Sequence, residues 1–277
     1  MIYDCFPFFN ELDLLEIRLN ELDSVVDRFV LVEARHTFQN KPKTLYFDEH
    51  KQHYEKFLHK IDHIVIDHFP KFYFKKFRFT RPWDRSNMQK NAVALGLKNC
   101  KPDDIILISD LDEIPCADLV RKYASIPGVK AFEQILTNYF INCIMVECPN
   151  SVNIVKRNGL VYWKGTVMIS YRDFKNYKTT RLMHDITDGS ILAIENGGWH
   201  YSYIGQAADL LIKLHAFEHA NEEKFKIHEL NTDIIKEKIA TGNGLFGTET
   251  RFELMDVSSE YPEYVKQNID KFKHMIG

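Results

Sequence analysis

The stretch Asp104-Ile105-Ile106-Leu107-Ile108-Ser109-Asp110-Leu111-Asp112-Glu113-Ile114-Pro115 decides the reading of this chain. Its consecutive apolar residues Ile105, Ile106, Leu107 and Ile108 are too few for a helix and are closed off by a proline, so they predict a buried central strand. Asp110, Asp112 and Glu113 follow at the strand's carboxyl end, where open α/β sheets place their ligands. Left unpaired, that much charge beside a dry strand is costly. A divalent cation held by oxygen ligands removes the cost and can carry a phosphorylated substrate. With 39 acidic residues in 277, an acid-x-acid triplet arises by chance roughly five times. Glu11-Leu12-Asp13 and Glu21-Leu22-Asp23 are such triplets and read as solvated helix positions; the apolar strand feeding Asp110-Leu111-Asp112 sets it apart.

A chain of 277 residues that is 45% hydrophobic can bury a large core, and it predicts one domain over residues 1–277. The net charge of −3 gives no overall electrostatic footprint for a nucleic-acid partner, although Lys71–Arg85 is locally basic. Five cysteines (Cys5, Cys100, Cys116, Cys143, Cys148) without a C-x-x-C pair read as reduced thiols, several of them in the core. The first residues have no basic, then apolar, leader pattern, and no later run reaches membrane-span length. The expectation is a cytoplasmic protein without a transmembrane segment, peripheral membrane contact remaining open.

Taken in order, Ile2–Phe6 predicts a first strand, and Leu12–Leu22 a helix with Asn10 as its N-cap. Glu11 divides evenly between first-turn charge and ligand. Phe29–Glu33 and Ile61–Asp67 predict further strands, the first two parallel through a right-handed crossover, which puts Glu33 and Arg35 at the same sheet edge as Asp110. Phe69–Phe79 interleaves aromatic and basic side chains and predicts a flap or packed excursion, with sugar or base stacking as the alternative. A helix through Ser86–Leu95 aims its N-terminal half and Arg85 at that edge, a suitable place for phosphate. Val129–Val146 and Leu160–Tyr171 predict the antiparallel part of a mixed sheet. Gly197-Gly198-Trp199-His200-Tyr201-Ser202-Tyr203 combines close backbone approach, a flat apolar face and an imidazole ligand. Ala207–Ala220, Ile227–Ala240 and Tyr261–Ile276 predict helices, and Gly242–Gly247 a mobile loop.

The blocks Phe9–Arg18, Phe29–Glu33 with Thr37-Phe38, Gln89-Lys90-Asn91, Ser109–Pro115 and Gly198–Ser202 resemble glycosyltransferase family 17, the β-1,4-mannosyl-glycoprotein 4-β-N-acetylglucosaminyltransferase family. The resemblance runs over nearly the whole chain, and its Asp-Leu-Asp-Glu-Ile-Pro and Gly-Trp-His blocks are the specific ones. It implies an α/β fold of GT-A type, a Rossmann-like mixed, mostly parallel sheet flanked by helices. It also implies a UDP-sugar donor, Mn²⁺ or Mg²⁺, and inversion at the anomeric carbon. Carried onto this chain, Asp112 becomes a direct metal ligand, Asp110 a partner to metal or ribose, and His200 a further ligand or diphosphate contact. Pro7, Phe8, Glu33 and Arg35 would line the uridine pocket, Arg85, Gln89 and Asn91 the diphosphate side, with Trp199 beside the nucleotide sugar. Animal members carry an anchor and stem, whereas this sequence starts at its first strand, so a microbial or viral glycan is the expected acceptor.

In that chemistry a carboxylate takes the acceptor hydroxyl's proton, and Glu113 and Glu195 are the candidates. Two other readings stay open. A haloacid-dehalogenase-type phosphatase would use Asp110 as nucleophile and Asp112 as acid, though there the motif usually opens the domain. A non-catalytic glycan- or nucleotide-binding module would hold sugar without releasing UDP.

Overall fold

The computed structural model describes residues 1–73, 78–246, 249–257 and 261–277. The strands in chain order are β1 (Ile2–Pro7), β2 (Arg28–Ala34), β3 (Ile61–Ile66), β4 (Phe72–Tyr73), β5 (Arg78–Phe79), β6 (Ile105–Ile108), β7 (Glu113–Pro115), β8 (Lys130–Tyr139), β9 (Cys143–Glu147), β10 (Ile154–Arg157), β11 (Leu160–Ser170), β12 (Leu192–Ile204) and β13 (Arg251–Leu254). The helices are α1 (Leu12–Leu22), α2 (Tyr46–His50), α3 (Pro82–Asn91), α4 (Ala117–Tyr123), α5 (Tyr177–Arg181), α6 (Ala207–Ala216), α7 (Thr232–Thr241) and α8 (Glu263–Gln267).

Among the described residues eleven strands form one sheet, whose main path runs β13-β9-β8-β11-β6-β1-β2-β3. The half made of β6, β1, β2 and β3 is wholly parallel, as the strand–helix–strand order of the sequence predicts. Strand β11 pairs antiparallel with both β6 and β8, which opens the mixed half. Strand β12 runs parallel to β8 and antiparallel to the short β7, so the Gly-Trp-His stretch is stitched beside the acidic motif.

Alternation along the strands builds a layer on each face. In β1 and β6, Tyr3, Cys5, Ile106 and Ile108 face Val93 and Leu97 beyond α3, whereas Phe6 and Leu107 face α1, whose Leu14, Leu15, Ile17, Leu19 and Leu22 are buried. A further apolar cluster seats α6 and α7 on the mixed half. No helix of the described residues is long and apolar enough to cross a membrane. All five cysteines are free.

Several local expectations change. Glu11, not Asn10, takes the N-cap position of α1, without a side-chain cap bond. Its carboxylate instead accepts the Asn10 N–H and turns toward the strand ends. The helix expected over Tyr261–Ile276 is only α8 and a turn at Lys273–Met275; Phe272 is fully buried and packs on Tyr264, which folds the chain back after Asn268. Within Phe69–Phe79, β4 and β5 make a separate antiparallel ladder. Phe74, Lys75, Lys76 and Phe77, like Gly247 of the expected loop, lie outside the described residues.

Gly198 is where β12 can approach β7. Its φ is +131°, and a Cβ there would meet the carbonyl oxygen of Ile114, with Cys116 N at 2.8 Å and Pro115 Cα at 2.9 Å. Gly198→Ala is therefore expected to cost at least about 2 kcal/mol in urea denaturation, through strain and loss of the β7 pairing. An unchanged midpoint would show that β7 yields without cost.

Candidate active site

The acidic motif hangs from a buried arginine. Arg18 lies on the apolar face of α1, with its side chain fully buried against Asp4 of β1. Nε and Nη2 donate to the two Asp4 carboxylate oxygens at 2.8 and 2.6 Å, and Nη2 also reaches Ser109 Oγ at 2.6 Å. Nη1 donates to the carbonyls of Asp110, Leu111 and Glu113 at 3.0, 3.0 and 2.9 Å. The guanidinium fork thus fixes the turn after β6 through its backbone and leaves the acidic side chains to point outward.

Those side chains border a cleft of about 530 Å³. Each finds a cation from a different segment. Lys90, in the last turn of α3, lies 2.8 Å from Asp110 Oδ1, which also accepts the Tyr177 hydroxyl at 2.9 Å. Burial pushes the Asp110 carboxyl up, but Lys90 and Arg181 together with these hydrogen bonds more than offset it, and it ends well below the usual carboxylate range. Glu113 is buried, paired with Arg181, and accepts Trp163 Nε1–H at 2.8 Å and the Asp110 N–H at 3.0 Å. Here burial prevails over Arg181, and the carboxyl is raised. Asp112 Oδ2 lies 3.5 Å from Lys213 of α6, which also holds Glu11 at 2.8 Å. Burial disfavours the Lys213 ammonium, but Glu11 and Asp112 overcome it and hold it charged.

Local sequence explains this convergence. Pro82 at the first position of α3 and the Asp84 carboxylate accepting the Arg81 N–H at 2.8 Å start that helix, so Ser86, Gln89 and Lys90 share one face. The Asn176 side chain caps α5 by accepting the Thr179 N–H at 2.9 Å, and Tyr177 and Arg181, four residues apart, then reach Asp110 and Glu113 together.

The expected site residues divide. Pro7, Phe8, Gln89, Asp110, Asp112, Glu113 and His200 all line the cleft. Gln89 acts on its backbone, donating to the carbonyls of Phe8 and Val32 at 3.2 and 3.0 Å and clipping the ends of β1 and β2 together. Arg85 is likewise engaged with carbonyls, those of Phe38 at 2.6 Å and Thr80 at 3.0 Å, and does not line the cleft. Glu33 is fully buried, 3.3 Å from Lys43 and 3.2 Å from His63, so only Lys43 carries it to the cleft wall. Arg35 pairs with Asp67 at 2.8 Å on the outer surface, and Asn91 Oδ1 accepts the Lys178 N–H at 3.5 Å. Trp199 faces a different groove because alternation along β12 sends it opposite to His200 and Ser202. Glu195, beside a register shift in β12, is 68% exposed and reaches Arg157 at 3.5 Å, away from the cleft. What the sequence reading left unassigned is the set of counter-charges Lys90, Arg181 and Lys213, together with Trp163, Glu218 and Arg18.

A metal has a limited fit here. Among the described residues no group of three His, Cys, Asp or Glu is gathered as a cation cage. Asp112 Oδ1 and His200 Nε2 face each other at 3.9 Å, and the buried His200 Nδ1 has no hydrogen-bond partner among the described residues. Two such donors suit a cation that takes the rest of its shell from water and substrate oxygens.

The comparisons with known proteins agree with the sequence resemblance. The family model described as "Glycosyltransferase family 17" matches residues 1–276. The β-1,4-mannosyl-glycoprotein 4-β-N-acetylglucosaminyltransferase of Rattus norvegicus is 26% identical over 290 aligned positions, covering 96% of this chain and 53% of that protein. The Homo sapiens protein of the same name is also 26% identical, with the same coverage of 96% and 53%. The chain therefore spans about half the length of the curated relatives it matches. Among solved structures, HddC from Yersinia pseudotuberculosis aligns with a TM-score of 0.39 at 10% identity, over 70% of this chain and 89% of that one.

Arg18→Met strands the buried Asp4 carboxylate and is expected to cost about 3–5 kcal/mol in urea denaturation. Asp4→Leu with Arg18→Met should regain much of that stability, yet leave amide exchange at Asp110–Glu113 faster than in the wild type, because the carbonyl anchors are gone. Wild-type exchange in the double variant would remove Arg18 from the support of the motif.

Proposed function

The chain belongs to glycosyltransferase family 17, and on that premise we propose that it transfers a sugar, N-acetylglucosamine, from a UDP-sugar to a glycan hydroxyl, with inversion and with a divalent cation. The observation that carries this reading is the cleft itself, where Asp110, Asp112 and Glu113 meet Lys90, Arg181 and Lys213 opposite the Pro7–Phe9 and His36–Phe38 walls. Fixed cations opposite a partly apolar slot match a diphosphate joined to a flat base.

In this mechanism the Pro7–Phe9 and His36–Phe38 segments hold the uracil and ribose. Lys90, Arg181 and Lys213 stabilise the negative charge that grows on the departing diphosphate. Mn²⁺ or Mg²⁺, held by Asp112 and His200, would supply Lewis-acid stabilisation of the same charge. The acceptor hydroxyl gives its proton to a carboxylate of the cleft as it attacks the anomeric carbon. We assign that role to Glu113, whose burial raises its affinity for a proton. Glu218 is the other cleft carboxylate that can compete, accepting only the Ser86 hydroxyl, at 3.3 Å, among the described residues.

UDP release from a panel of UDP-sugars, with Mn²⁺ and candidate glycan acceptors, tests the reading. Turnover is expected with UDP-N-acetylglucosamine, lost on chelation, and reduced by about 100-fold or more in Asp112→Asn with the fold intact. Turnover undiminished in a folded Asp112→Asn protein would overturn the role of the acidic motif. Glu113→Gln is expected to reduce kcat by about 100-fold or more while UDP binding persists. A larger loss in Glu218→Gln would move the base there.

A further inference from the structure

Lys213 stands between two carboxylates that belong to different parts of the cleft. Its ammonium lies 2.8 Å from Glu11 Oε1, a full charge-assisted hydrogen bond, and 3.5 Å from Asp112 Oδ2, at the edge of one. Glu11 is itself fixed, its second oxygen accepting the Asn10 N–H at 3.0 Å. The Lys213 ammonium also lies 5.7 Å above the Tyr203 ring, and its side chain is only 23% exposed. The lysine is therefore anchored by Glu11 and held beside Asp112. The other oxygen of Asp112 looks toward His200 Nε2 at 3.9 Å. Asp112 thus presents one oxygen to the Lys213 ammonium and the other to the His200 imidazole.

We propose that Lys213 is a built-in counter-ion, which stands in a cation's place beside Asp112 and turns its charge to the diphosphate when the donor binds. The proposal rests on reading the cleft as a nucleoside-diphosphate-sugar site. The physical reason is charge balance. A divalent cation approaching Asp112 alone meets the Lys213 ammonium at close range in a partly desolvated cleft, where like charges repel strongly. A diphosphate brings negative charge of its own, so Lys213 can release Asp112 without losing a partner. Glu11 keeps the ammonium within reach during the exchange, and only the final part of a long flexible side chain has to move. Lys213 thereby opposes the bare cation and favours the nucleotide.

That opposition of signs is the test. Lys213→Met keeps most of the apolar stem and removes the charge. Mn²⁺ binding without nucleotide, followed by the electron paramagnetic resonance of free Mn²⁺, is expected to tighten about tenfold in this variant. UDP binding in the presence of chelator, followed by calorimetry, is expected to weaken about tenfold. Lys213→Arg should stay near the wild type in both. Because Lys213→Met strands Glu11, the double variant Glu11→Gln/Lys213→Met is measured beside it and should show the same pair of shifts. If Mn²⁺ and UDP weaken together, or neither changes, the counter-ion role is overturned and Lys213 is a structural partner of Glu11. If, with UDP present, wild-type protein binds Mn²⁺ no better than Asp112→Asn, the reading of the cleft as a cation-assisted donor site fails first, and the counter-ion role falls with it.

Discussion

Arg18 and Asp4 meet in the middle of the interface between α1 and the sheet, where neither has any exposed side-chain surface. Removing two charges from water at such a place is costly, and apolar residues of similar volume often do as well or better for stability alone. The arrangement makes sense through what else the guanidinium holds. Once Asp4 has oriented the fork, its remaining donors meet Ser109 and the carbonyls of Asp110, Leu111 and Glu113. These carbonyls belong to a turn that leaves one strand and enters another, and they have few regular backbone partners. The fold thus places a fixed cation under a loop that carries three anions. The backbone is settled from within, and the side chains are left to the cleft.

The acidic cluster looks different from the sequence and from the structure for a physical reason. Read along the chain, Asp110, Asp112 and Glu113 have no compensating charge nearby, and a bound cation is the economical remedy. In the fold the compensation comes from Lys90, Arg181 and Lys213, each far away in sequence. The need for a metal to make the site foldable disappears. A cation would then belong to the ligand set of the proposed reaction, where Asp112 and His200 would hold it, and not to the stability of the fold.

The parallel half of the sheet, the helix over Leu12–Leu22 and the placing of the acidic motif at a strand end were legible because periodicity and strand–helix order are local signals. His200 and Trp199 show where such signals stop. Both sit in one conspicuous block, but adjacent strand residues face opposite ways, so only one of them reaches the cleft. Arg85 stands off the cleft because the carbonyl of Phe38 engages it, a contact between segments 47 positions apart that no window can see. Arg18 could have been found. It lies four residues from Leu14 and from Leu22, in the apolar stripe of α1, and an arginine at such a position needs a buried anion.

The self-paired cleft also limits how a ligand can gain from it. Any contact that an anion such as the proposed diphosphate would make with Lys90 or Lys213 is drawn partly from a contact those cations already have with Asp110 or Asp112. An anion alone therefore leaves a carboxylate short of a partner, and a cation alone leaves an ammonium facing a like charge. Only a ligand set that brings both signs together leaves every charge paired. On the proposed reading, preference for a nucleotide accompanied by a cation, over either component, would follow from this balance of charges. It would not require any single contact to be unusually strong, and it would make the pairing of Lys90 with Asp110 and of Lys213 with Asp112 part of the recognition.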